Sequence, residues 1–197
     1  MMASKPRFSV LQDGPYKGTF SYQPTGVPQE EAFKPRRLIR RAGSANYLAV
    51  VYGSRTDDTE KGEGLAHGWY DFVVTEAQPG ICWIRRERND RSVKYRNQPK
   101  HKDPGMDRGH SAIAEGGNVF FAGIVLFGGG PLDKKKKTEP GVLMVWQNKS
   151  GHYLCGMTMT GEALKSHVVQ QTRFLKGFDE QPLLPMDKFV PYDPSGD

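Results

Sequence analysis

Val119-Phe120-Phe121-Ala122-Gly123-Ile124-Val125-Leu126-Phe127 carries no charged or amide side chain. It is far shorter than the ~20 apolar residues a membrane helix needs. A continuous apolar run of this length, rich in β-branched and aromatic residues, reads as a central strand buried on both faces. Gly123 in its middle would let a second backbone approach closely. Gly128-Gly129-Gly130-Pro131 ends the run, and a long connection to residue 140 carries Lys134-Lys135-Lys136-Lys137 at its tip. Val142 to Gln147 is the expected partner strand. Asn148-Lys149-Ser150-Gly151 then reads as a turn in which Gly151 takes a positive φ at little cost. His152-Tyr153-Leu154-Cys155 is expected to re-enter as a strand.

Working outward, Asn46–Tyr52 and Gly68–Thr75 have strand composition, and Ile81–Arg96 looks like a hairpin punctuated by Asn89-Asp90. Lys17–Tyr22 alternates weakly and could form an edge strand. Thr160–Lys176 is the best helix, with Thr160 as N-cap and Gly177 as stop. About seven strand signals stand against one clear helix, and the strands do not alternate with helices. The expected class is therefore α+β: a mainly antiparallel sheet, one C-terminal helix and long Gly/Pro-rich loops. Residues 1–35 are expected as an extended N-terminal arm, 36–180 as the catalytic-type domain, and 181–197 as an extended tail packing back on the sheet.

The 197 residues, 37% hydrophobic and 11% aromatic, are too apolar for a disordered chain. The N-terminus, Met1-Met2-Ala3-Ser4-Lys5-Pro6-Arg7, has no apolar signal core. Synthesis in the cytoplasm without a Sec signal or membrane span is expected, and delivery by a specialised secretion system needs no such signal. The two cysteines, Cys82 and Cys155, both fall in strand-like apolar contexts, and are read as reduced, buried thiols. They lack the close spacing of zinc motifs. The formal charge of +6 is uneven: Arg85–Arg108 holds nine Lys/Arg against four Asp/Glu, and Lys34–Arg41 is a second basic run. Such runs are usually solvated faces, but they also attract polyanions.

Histidine is the usual proton-transfer group near neutral pH. His110-Ser111 follows Gly109, and His152-Tyr153 follows Gly151. Two glycine-led imidazoles are expected to meet at a strand end facing an open hollow, with His110, Ser111, His152 and Tyr153 catalytic. Arg108, Asn148, Ser150 and Arg55 would bind substrate or cofactor. The same residues could instead merely satisfy turn backbone groups, which would make the chain a non-enzymatic binding module. A third reading pairs Cys82 as nucleophile with one of the histidines, although a strand interior does not lower a thiol pKa.

Two resemblances bear on these residues. The pattern GHSAIAEGGNVFFAG followed by WQNKSGHY, within about 48 residues, resembles C-terminal toxin and effector domains of bacterial secretion and insecticidal systems. That resemblance implies an enzyme modifying a target-cell protein or nucleic acid, with a cognate immunity protein or chaperone as further partner and no membrane. Some such domains are ADP-ribosyltransferases, which would imply NAD, held by Arg55 and Ser111, with Glu115 or Glu162 as the acid. No Ser-Thr-Ser or Glu-x-Glu element is present, which weighs against that version. Asp107-Arg108-Gly109-His110 is similar to the four-residue core of DNA/RNA non-specific endonucleases. That match implies His110 as general base and Mg2+ on a later Asn, for which Asn118 and Asn148 are available. The family's Asn sits on a helix, whereas a strand is expected here.

Overall fold

A computed structural model describes residues 7–25, 36–51, 64–86, 110–129 and 138–193. Its centre is one antiparallel sheet of nine strands. These are β1 (Arg7–Val10), β2 (Phe20–Gln23), β3 (Arg36–Arg40), β4 (Tyr47–Val51), β5 (Gly64–Leu65), β6 (Gly68–Thr75), β7 (Cys82–Arg86), β8 (Val119–Phe127) and β9 (Leu143–Gln147). A one-turn helix, α1 (His110–Ile113), precedes β8, and α2 (Gly161–Thr172) follows β9. A 3-10 turn, Met186–Lys188, lies in the tail.

The apolar run behaves as its composition demands. Seven of its first eight residues and the last are buried, Leu126 alone being intermediate. One edge of β8 pairs along its length with β6; the other is shared by β2 at Val119 and β9 at Ile124–Phe127. Every position but Leu126 is thus covered, and a polar side chain at any of the others would be buried. From β6 the sheet continues through β7 and β3 to β4 and β5. Its far edge then returns. The Tyr47 N–H of β4 bonds to the Gly141 carbonyl at 2.9 Å, and the Gly141 N–H to the Ala66 carbonyl at 2.7 Å, just ahead of β9. The sheet therefore curls until its ends meet. The ring of Tyr47 packs 5.3 Å from Phe127, although three strands separate β4 from β8.

Gly123 is the tight point. A Cβ there would lie inside the van der Waals shell of the Gln147 carbonyl oxygen and 3.0 Å from Phe72 Cε1. The tail packs back as expected. Trp146, fully buried, donates Nε1–H to the Pro185 carbonyl at 2.8 Å, and the Val190 N–H bonds to the Trp146 carbonyl at 2.9 Å.

Several local expectations are corrected. His152–Cys155 is a turn and not a strand, so Cys155 lies outside the sheet, whereas Cys82 is on β7. The segment turns at Leu154 (φ 51) and Gly156 (φ 66), while Gly151 has no positive φ. The helix ends at Thr172, ahead of Gly177, and Thr160 makes no side-chain cap bond. It ends early because Leu175 bonds back to the Thr172 carbonyl and pairs its own carbonyl with Leu183. A one-turn helix also forms at His110–Ile113, a segment to which no element was assigned. The basic run 36–40 is strand β3, because Leu38 fills the core at 2% exposure. The N-terminal stretch contributes a true hairpin, β1–β2, to the sheet. The returning half of the 81–96 hairpin and the four-lysine tip lie outside the described residues.

A polar network anchors α2. The Tyr22 hydroxyl accepts the Gly156 N–H at 3.2 Å and shares a hydrogen bond with His167 Nε2 at 2.7 Å. Gln171, fully buried, accepts from the Phe20 N–H and donates to the Phe20 and Phe120 carbonyls. Burial pushes the His167 pKa down from 6.5 to about 4. The unfolded chain then takes up a proton below pH 6.5 that the folded chain refuses until about pH 4. Stability is therefore full above pH 6.5 and declines between those values, by about 2–3 kcal/mol once solvent screening is allowed for. Urea titrations at pH 7.5 and 4.5 should show this loss, and His167→Gln, which cannot titrate, should flatten it.

Candidate functional site

Asp71 is the sole charge in the apolar strand β6, GWYDFVVT. Its register partners are Arg85 on β7 and Ile124 on β8. Directly opposed residues share a sheet face, so the carboxylate and the guanidinium emerge together, with Arg85 Nη2 3.8 Å from Asp71 Oδ2. α1 packs over this face, in contact with β6 and β7. It delivers His110, whose Nε2 lies 2.7 Å from the Gly123 carbonyl oxygen and 3.8 Å from Asp71 Oδ1. All three are buried, at 7%, 7% and 5% exposure.

The geometry assigns the ring's protonation pattern. A carbonyl oxygen only accepts, so Nε2 carries the proton in the neutral imidazole and Nδ1 presents the lone pair. At 3.8 Å Asp71 is too far for a hydrogen bond, yet its charge faces the ring. A fixed tautomer and a nearby carboxylate suit a general base, which must also reach the proton it takes, and His110 is 5% exposed.

The second histidine motif plays a different part. Tyr153, fully buried, donates its hydroxyl to the Gly117 carbonyl at 2.7 Å, which joins the 148–155 turn to the segment leaving α1. Burial raises the Tyr153 pKa, so the phenol stays protonated as that donor. Asn148 donates to the Cys155 carbonyl and accepts the Tyr192 N–H. Ser150 accepts the Tyr153 N–H at 3.3 Å. The His152 carbonyl accepts both the N–H and the hydroxyl of Thr25. Tyr153 thus makes a bond between the two glycine-led segments, and His110 is buried rather than facing an open hollow. His110 is packed beneath α1, and Ser111 beside it is fully buried with no hydrogen bond to its hydroxyl. Tyr153→Phe should cost about 0.5–1.5 kcal/mol, the net worth of one part-buried hydrogen bond, because Gly117 is exposed and water can meet its carbonyl. Denaturant midpoints check this, with an unchanged m-value expected.

The remaining candidates disperse. Asn118 is exposed and donates to Glu76, and the amide of Asn148 is spent on backbone, so neither is offered to a metal beside His110. Among the described residues no three His, Cys, Asp or Glu side chains cluster as a metal site. Glu115 is exposed at a positive φ, and Glu162 is exposed on α2, paired with Lys165 at 2.8 Å. Burial pushes both cysteine thiols well above their usual range, which removes Cys82 as a nucleophile. Arg55 and Arg108 lie outside the described residues. Asp71 and Arg85 were missed in the sequence. The available signal was a lone acid in an otherwise apolar strand, a position that demands a partner.

No family model, no curated protein and no solved structure matches this chain.

Proposed function

We propose that the chain is an effector- or toxin-type domain that modifies a target inside a recipient cell, with His110 as its general base. The observation that carries this reading is the His110 tautomer, held by the Gly123 carbonyl with Asp71 and Arg85 alongside. A purely structural histidine needs the carbonyl bond but gains nothing from a buried carboxylate–guanidinium pair, which is costly to desolvate. Tyr153, Asn148 and Ser150 act in support by holding the 148–155 turn against the segment that follows α1. The similarity of the GHSAIAEGGNVFFAG and WQNKSGHY segments to secreted toxin domains supplies the cellular setting.

The transferase version would draw on NAD and the nuclease version on Mg2+. The engaged amides of Asn118 and Asn148 disfavour the nuclease version. Inducible expression of the chain inside a bacterial and a eukaryotic cell tests the proposal. Growth arrest by the native chain, absent with His110→Gln at equal soluble level, supports it. Normal growth of both hosts with abundant folded protein overturns it.

A further inference from the structure

The basic strand β3 is not used by the chemistry above. Leu38 points into the core, while Arg37, Arg40 and Arg41 remain at or near the surface. Two adjoining hollows run along them, of about 180 and 490 Å³, the larger within the range of small-ligand sites. Both are lined by Arg40 and Phe178; the first adds Arg37 and Lys176, and the second adds Arg41 and Asp179. The Nε of Arg37 is shut off from solvent yet has no hydrogen-bond partner. Phe178 is 61% exposed, the most exposed of the large hydrophobic side chains among the described residues. Asp179 is the acid of the lining, and it is itself paired with Arg40.

We infer that this groove binds single-stranded nucleic acid, with phosphates on Arg37, Arg40, Arg41 and Lys176 and a base stacked on Phe178. Cations alone would suit any polyanion. An aromatic ring standing free among them suits an unpaired base, whose flat face a duplex hides and an acidic peptide lacks. The exposed Arg40–Asp179 pair is weak enough for a phosphate to compete for the guanidinium. Register sets Arg37 and Arg40 on opposite faces of β3: Arg37 opposes Trp83, two residues along β7 from Arg85, whereas Arg40 opposes Tyr47 on the Leu38 side, and the lining draws on both.

Fluorescence anisotropy with the full chain and a short labelled oligothymidine tests this, with the duplex and polyglutamate as competitors. Binding is expected at low salt, and an oligothymidine competitor should displace the probe far better than either of these. Phe178→Ala should weaken binding about tenfold. Arg41→Ala should lower the salt slope by about one. Both side chains are exposed, so circular dichroism should be unchanged. His110→Gln should bind as the native chain does, which separates this inference from the catalytic one. Absence of binding, a Phe178→Ala variant that binds as tightly as native, or equal displacement by duplex or polyglutamate overturns it.

Discussion

Gly123→Ala destabilises the chain by about 3 kcal/mol or more, enough to lower its melting temperature by roughly 6–12 °C. The added methyl meets the Gln147 carbonyl, a backbone atom held in the β8–β9 ladder, and the Phe72 ring at 3.0 Å. Neither neighbour can swing away as a flexible side chain would. β9 would have to part from β8, breaking the pairing between Ile124 and Gln147 and the next three pairs. The carbonyl that holds His110 belongs to the same residue, so any displacement there also loosens the candidate base. Gly151→Ala is the contrast: no atom lies within 4 Å of its added Cβ and its φ is ordinary, so melting should be unchanged. Thermal unfolding followed by circular dichroism checks both. A Gly123→Ala protein that melts with the native one would show that β9 can yield.

His110→Gln lowers activity about 10²- to 10⁴-fold while leaving most of the stability in place. Glutamine can still donate an N–H to the Gly123 carbonyl but has no basic nitrogen to take up a proton. His110→Ala gives the same loss of activity together with a stability cost of about 1–3 kcal/mol, because the Gly123 carbonyl and the Asp71 charge both lose their neighbour. Growth inhibition read at matched soluble level, with melting measured on the same proteins, separates the two effects. Undiminished toxicity from His110→Gln would remove His110 as base and leave it a structural donor.

Much of the fold could be read along the chain because the signals are local. An unbroken apolar strand has one way to satisfy its composition, and 119–127 took it. β4, β6 and the returning tail followed from patterns of the same kind. The errors have physical causes too. In 34–41 the charges outnumbered the single inward residue, Leu38, whose burial decided that β3 is a strand. In 152–155 the apolar composition suggested sheet. The side chains instead serve a turn, through Tyr153 to Gly117 and Asn148 to Cys155, and the backbone bends at Leu154 and Gly156.

The candidate site divides along the same line. Residue order alone singled out His110 and the small polar cluster at 148–153, since glycine, histidine and serine in short spacing are visible to any reader. It also fixed the class of the domain, because periodicity reports which faces are apolar. Which groups stand next to His110 was beyond it. Asp71 and Arg85 lie 39 and 25 positions away in the sequence numbering and meet the imidazole only because β6 and β7 pair in one register and α1 folds across them. A one-residue slip in that pairing would put the two charges on opposite faces of the sheet. Contacts of that kind belong to the sheet as a whole, and so does the chemistry they permit.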